Sequence, residues 1–306
     1  MPTRCGTSSW PPMLPASVHR CCPTPRAKAD PVDHARVCAG RSWIGIMRSL
    51  DEIRSALEAC YSAIEGLCAD LSDADWKTQS LCPDWVVRDV VQHVVSIEAV
   101  MAGWVPQDDA TPPPFERAAE FLAGTDDPAT LAEKVTAVFA ERRRELSSLT
   151  AADLDRPSWM PTGRGTYGRF LEIRVFDFWV HVRDITIPLG RSTDDGGVAA
   201  EIALGQVESS IGYIAGKKVG VPEGSSIAFR LTGPLVREIN VAVDGRATQV
   251  GHLTDPTAVL TTDSTTFIML ACGRIDPQAQ IDSGAVSWTG DAELGERAAR
   301  NLRFTM

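Results

Sequence analysis

No apolar run in this 306-residue chain approaches the roughly 18 residues that a membrane-spanning helix requires. Cysteine is sparse, with eight residues and no C-x-x-C pair. That excludes a visible disulfide framework and a paired zinc knuckle, and it fits a reducing cytoplasm. Basic charge is short as well, with 30 Lys/Arg against 40 Asp/Glu and a formal net charge of −10. The deficit is sharper than it looks. Residues 1–46 hold six Lys/Arg and two Asp/Glu, so the rest of the chain carries −14. An acidic body excludes nucleic acid or an anionic membrane as the main partner, because phosphate binding needs clustered Lys/Arg. Histidine is rarer still. Beyond residue 46 there are three, His93, His181 and His252.

Residues 1–46 stand apart in composition, with seven of the 20 prolines and four of the eight cysteines. They have neither helical nor strand periodicity, and no apolar segment of the kind that opens a secretion signal. They read as a disordered or non-native extension ahead of Met47. Cys60 and Cys68 fall on an apolar helical stripe, where cysteine behaves as a small hydrophobe.

Regular patterning starts at once after Met47. Ser49-Leu-Asp-Glu52 is a capping box. Leu50, Ile53, Leu57, Cys60, Ile64 and Leu67 then recur at helical steps. A second helix is expected from Asp84, read as its N-cap. Its valines at 86–87, 90–91 and 94–95 repeat every four residues, where a half-buried strand would alternate by two. A Pro112-Pro-Pro114 loop precedes a third helix over about 128–149. A fourth spans the 170s and 180s, and a fifth covers about 195–216. After Gly220 the period changes to two. Ile227, Phe229 and Leu231, then Ile239, Val241 and Val243, read as paired strands across Gly233-Pro234. Val286 and Trp288 suggest a third strand. Phe267–Ala271 and Asp291–Phe304 read as helices. A helical bundle over 47–218 is therefore followed by a smaller α+β domain over 219–306.

The fourth helix carries the chemistry. Arg174, Asp177, His181 and Asp184 fall on one stripe at about 100° per residue, between Ile173 and Val180 on one side and Phe178 and Ile185 on the other. The solvent face is expected near Glu172 and Arg183. Ionisable groups between apolar walls cost free energy unless they pair or hold an ion. Asp177 and His181, four apart, can point at one cation. His93 sits on the apolar face of the second helix, beside Val86, Val90, Ile97 and Val100. Two imidazoles and a carboxylate from two helices are the donor set of a catalytic zinc or a non-haem iron facial triad, with a coordination position left open. Asp184 is placed to orient His181, and Asp89 to orient His93. The same residues can also be read as a satisfied core histidine and a buried hydrogen-bonded pair, with Arg174 bonded to Asp184 and Asp89 a solvated charge. The spacing leaves both readings open.

Leu81-Cys-Pro-Asp-Trp85-Val-Val-Arg-Asp-Val-Val-Gln-His93 resembles the C-P-G-W-x-V-x-D…H signature of mycothiol-dependent maleylpyruvate isomerase-like proteins. Arg174-Val-Phe-Asp177-Phe-Trp-Val-His181-Val-Arg-Asp184 is similar to that family's R-x-x-E-x-x-x-H-x-x-D stretch. Leu270-Ala-Cys-Gly273-Arg274 and Val286-Ser-Trp-Thr-Gly290-Asp291 match its later pattern. The resemblance covers about 47–306. It implies a two-domain α+β fold, a DinB-like four-helix bundle followed by a small sterol-carrier-like domain. It implies His93, Asp177 and His181 as ligands of a divalent metal, zinc above all, with mycothiol as thiol cofactor. It also implies that Arg274 is directed at the substrate. Asp177 stands where the family pattern has Glu, and Asp84 where it has Gly.

On that footing the expected activity is cis–trans isomerisation or S-transfer on a small, anionic electrophile. The chain is expected to be cytoplasmic and monomeric, with no nucleic-acid or membrane partner. Two other classes compete. One is a non-catalytic small-molecule or lipid binder, with Trp104, Trp179 and Trp288 as candidate pocket walls. The other is a metal-dependent hydrolase with Asp184 as general base.

Overall fold

A computed structural model describes residues 48–305, so the expected extension over 1–46 lies outside the described residues. The first helix, α1 (Leu50–Asp70), opens on the expected capping box, Ser49 Oγ accepting from the Glu52 amide and Glu52 from the Ser49 amide. After it come α2 (Val87–Met101), the short α3 (Ala118–Leu122) and α4 (Pro128–Ser148). The α4 start follows from Asp127, whose carboxylate accepts from the Thr130 amide, and from Pro128 in the first turn. A hairpin of β1 (Pro157–Met160) and β2 (Gly163–Thr166) leads into α5 (Tyr167–Thr186). The helices α6 (Gly197–Ser209) and α7 (Ile211–Tyr213) then run into a π-helical turn that ends at Gly220, φ 69°.

One expectation fails at the start of α2. Asp84 is not the N-cap, because helical geometry begins three residues later, at Val87. Asp84 sits in the left-handed region at φ 64°. This is the position where the family pattern carries glycine, the residue with no steric penalty there. The turn it makes is followed by extended backbone at Val86, φ −82° and ψ 169°, before the helix starts. Asp89 supplies the missing cap, its Oδ2 accepting from the Val86 amide at 3.0 Å. It is therefore spent on the helix start and does not orient His93.

The long helices α1, α2, α4 and α5 form a four-helix bundle, α1 and α2 each packing against both α4 and α5. The α1 stripe Ile53, Leu57, Cys60, Ile64 and the α2 valines 87, 90, 91, 94 and 95 are buried together with Phe139 and Phe178. Each such aliphatic side chain contributes about 1.5–3 kcal/mol of transfer free energy. Tyr61 stacks on Phe139 with ring centroids 4.4 Å apart.

The second unit is a five-stranded sheet in the order β5-β4-β3-β6-β7, made of β3 (Ser226–Thr232), β4 (Arg237–Asp244), β5 (Arg246–Val250), β6 (Ala258–Asp263) and β7 (Val286–Gly290). β3 pairs antiparallel with β4, as the alternation predicts, and parallel with β6. The helices α8 (Ser264–Ala271), α9 (Pro277–Asp282) and α10 (Ala292–Arg300) complete it. The molecule is thus α+β, a helical bundle followed by a smaller sheet-and-helix unit. The two cores meet on α5 and α6. Phe178 and Ile185 of α5 lie in the bundle core, whereas Trp179 and Val180 pack with Phe229, Phe267 and Leu270 of the second core.

The supposed solvent face of α5 is also corrected. Glu172 and Arg183 are both 2% exposed. Because α5 is covered on every side, these charges are matched locally. Glu172 accepts from the Arg48 amide and pairs with Arg169, while Arg183 pairs with Asp195 at 2.5 Å and lies 3.3 Å over the Trp179 ring.

Candidate metal centre

The adjacent helices α2 and α5 bring His93, Asp177 and His181 together. His93 Nε2 lies 3.7 Å from Asp177 Oδ2, and His181 Nε2 lies 3.5 Å from Asp177 Oδ1. The two imidazole rings are 4.9 Å apart, and the ligand atoms of the trio all lie within 4.8 Å of one another. Ligands at about 2.0–2.2 Å from a tetrahedral zinc ion stand roughly 3.3–3.5 Å from each other. The two carboxylate–imidazole spacings already match that figure closely. They are also longer than hydrogen bonds, so the three groups converge without satisfying one another. His181 is buried, but the His93 and Asp177 side chains keep 19% and 27% exposure. The cluster therefore has a wet side where a fourth ligand can enter. Trp85 walls it, its ring 5.2 Å from His93 and 6.3 Å from His181.

The electrostatics are compatible with a cation at this position. Burial alone would raise the Asp177 carboxyl, but the Arg174 and His181 charges outweigh it and hold the group well below the usual range. Burial alone would lower His181, but Asp177 and Asp184 carry it well above the ordinary histidine value. Burial dominates at His93 and pushes it down. Without an ion, a proton on His181 supplies the positive charge that Asp177 demands. A divalent ion would displace that proton, the usual coupling of metal binding to ligand deprotonation.

Behind Asp177 stands a buried network that sequence reasoning missed. Arg174 Nη1 donates to Asp177 Oδ2 at 2.7 Å, and its Nε donates to Glu98 Oε1 at 2.9 Å. Glu98 also accepts from Tyr61 Oη at 2.7 Å and from Arg142 Nε at 2.9 Å. Glu98, Arg142 and Tyr61 are essentially inaccessible. Burial would raise the Glu98 carboxyl, but the two guanidinium groups hold it below its ordinary value. One signal was available in the sequence: Glu98 stands four residues after Val94 on the buried stripe of α2, a charge where the pattern asks for an aliphatic.

Asp184 is inaccessible to solvent, and His181 Nδ1 lies 2.8 Å from its Oδ2. Since the carboxylate only accepts, the proton on the imidazole belongs to Nδ1, which leaves Nε2 facing Asp177 and His93 as a ligand atom. Two further groups reach the same carboxylate. Cys82 Sγ donates to Oδ2 at 3.0 Å, and Arg274 Nε lies 3.0 Å from Oδ1 and 3.2 Å from Oδ2. Arg174 and Asp184, paired in the plainer reading, are not partners. Cys82, His181 and Asp184 also have a spacing that could hold an ion. The Arg274 charge against Asp184 and the thiol donating to it make that trio a hydrogen-bond cluster instead. Cys82 was legible as part of a motif, but not its role.

A cleft of about 660 Å³ lies on the opposite face of α5, lined by Trp179, Val182, Arg183 and Thr186 together with α1 and the start of α6. It shares no residue with either cluster. Of the tryptophans expected at a pocket, Trp179 lines this cleft, while Trp104 packs against Tyr167 and Phe170. No described helix is long and apolar enough to cross a membrane.

The geometry can be set beside known proteins. A family model for the mycothiol maleylpyruvate isomerase N-terminal domain matches residues 57–186, and one for the MDMPI C-terminal domain matches residues 201–297. Among solved structures, a mycothiol-dependent maleylpyruvate isomerase is similar over 80% of this chain and 95% of its own, with a TM-score of 0.54 and 15% identity. A histidine-to-alanine mutant of such an isomerase is similar over the same shares, with a TM-score of 0.53 and 16% identity. At that identity the likeness shows a shared fold. No curated protein gives a sequence match.

Proposed function

The chain belongs to the mycothiol-dependent maleylpyruvate isomerase-like family, and from that premise we propose a metal-dependent enzyme that uses mycothiol as its thiol. The reaction class is cis–trans isomerisation by reversible thiol addition to a double bond, or S-transfer to a small electrophile. The observation that carries this reading is the convergence of His93, Asp177 and His181 at ligand spacing around a solvent-facing side.

When bound, a divalent ion such as Zn²⁺ would ionise a coordinated thiol near neutral pH. The protein's own part is to hold and tune that position. His93 Nε2, His181 Nε2 and the Asp177 carboxylate provide the donors. Arg174 fixes the Asp177 rotamer through Oδ2. Asp184 fixes the His181 tautomer. The hydrogen bonds of Arg274 run through Nε, so its terminal nitrogens make none among the described residues. They can pair with a substrate carboxylate, for which a guanidinium is well shaped. A hydrolase would need a carboxylate free to take a proton from water. Asp184, the candidate for that role, is buried and already accepts from three donors.

The test is cobalt spectroscopy. With Co²⁺ in the site, mycothiol should produce sulfur-to-metal charge-transfer absorption in the near ultraviolet, and other small thiols a weaker signal. A cobalt spectrum untouched by any thiol at millimolar concentration would overturn the thiol reading.

A further inference from the structure

We propose that Arg274, from the second domain, is a positioning residue for the metal ligand His181, acting through Asp184. This rests on the metal reading above and adds to it: the competence of the bundle site depends on a side chain delivered by the other domain.

Arg274 is set in place by backbone geometry. It follows α8 in a Schellman ending, with the Arg274 amide bonded to the Met269 carbonyl and the Gly273 amide to the Leu270 carbonyl, both at 2.9 Å. Gly273 takes the left-handed conformation at φ 66° that this ending requires. The guanidinium is thereby carried across the domain boundary to Asp184, 90 residues away in sequence. At Asp184 it meets the His181 imidazole and the Cys82 thiol on one carboxylate. The Asp184 backbone is pinned as well, its carbonyl accepting from the Leu81 amide at 3.0 Å.

The physical consequence lies in the rotamer of Asp184. His181 and Cys82 both bond to Oδ2, so without Arg274 no described residue holds Oδ1; the carboxylate can then pivot about Oδ2, and the imidazole it holds moves with it. Arg274 Nε donates to Oδ2 at 3.2 Å and sets its charge 3.0 Å from Oδ1, which makes no hydrogen bond of its own among the described residues. Its charge beside Oδ1 restrains the turn that would take Oδ2 off His181 Nδ1. It also neutralises a charge with no exposure to solvent. Removing the guanidinium frees the Asp184 plane, lets His181 Nε2 drift from the cluster, and weakens the site for the ion. Groups that orient a ligand from behind typically account for about 10- to 100-fold in metal affinity.

The experiment is a zinc titration against a chromogenic chelator, with no substrate present, on the full chain and on Arg274→Gln, Arg274→Lys and Asp184→Asn. Circular dichroism checks the fold of each variant. Arg274→Gln should bind zinc roughly 10- to 100-fold more weakly, and Arg274→Lys, which keeps a charge for Asp184, should recover part of the loss. The Arg274→Gln/Asp184→Asn double variant should lose less than the sum of the two singles, because both act on one imidazole. The d–d band of bound Co²⁺ should change in Arg274→Gln, a signature that a purely structural or substrate-binding arginine would not alter. Wild-type zinc affinity and an unchanged cobalt band in Arg274→Gln would overturn the proposal while leaving the metal site standing. Failure of the metal reading looks different: the unaltered chain would not bind zinc, or His93→Ala/His181→Ala would bind it as well as wild type.

Discussion

Asp177 is one methylene shorter than the glutamate of the family pattern, yet its carboxylate still reaches both imidazoles because Arg174 holds it at 2.7 Å. Asp177→Glu should therefore retain or strengthen zinc binding, and Asp177→Ala should weaken it, read by chelator competition. Glu98 carries a stability prediction. Its folded pKa lies below the ordinary value, since Arg174 and Arg142 outweigh the effect of burial. A depressed carboxylate contributes stability that is fully present above its unfolded value of about 4.3 and lost as pH falls through the folded value. Glu98→Gln removes a shared charge from two buried guanidinium groups, which keep Asp177 and Glu145 as partners, and should cost about 1–3 kcal/mol at neutral pH. The gap in urea midpoint between variant and wild type should narrow below about pH 4. A gap that does not change with pH would contradict the assignment. His93, Asp177 and His181 were legible because inward polar residues on apolar helical faces stand out in the pattern. The Asp184–Arg274 contact was not, because it joins residues in two domains and no periodicity encodes it.

At the scale of elements, the helices were largely legible and the starts of some were not. The valine repeat identified α2, but the left-handed turn at Asp84 is a backbone event that an aspartate disguises, since aspartate is also a common N-cap. Asp84→Val should cost about 1–2 kcal/mol, the penalty of a side chain forced into that region, whereas Asp84→Gly should cost nothing comparable. Urea denaturation of both variants checks this, and equal stability would remove the claim that the turn is strained. The strands β3, β4 and β7 were read from alternation. Three kinds of strand escaped. β1 and β2 have four residues each, too few for a period. β5, Arg-Ala-Thr-Gln-Val, is an edge strand with no apolar face. β6 is interior, and its buried run Ala258-Val-Leu does not alternate. The polar "outer" face of α5 was misread because pattern alone cannot show that a helix is covered on all sides. Glu172 and Arg183 are buried as matched pairs.

Across the whole molecule, α5 is the shared element: one stripe holds the candidate ligands, and its flanks enter both cores. Bound metal should therefore stabilise more than a local loop. At a free ion concentration of 100 times Kd, linkage gives about 2.7 kcal/mol. This should appear as a higher thermal midpoint with zinc than after chelation, and His93→Ala should abolish the increment. The most direct measurement is elemental analysis of the untagged protein and of His93→Ala/His181→Ala. The account predicts about one divalent ion per chain in the former, as three ligands around one open position imply, and none in the latter. Full occupancy in the double variant would contradict it.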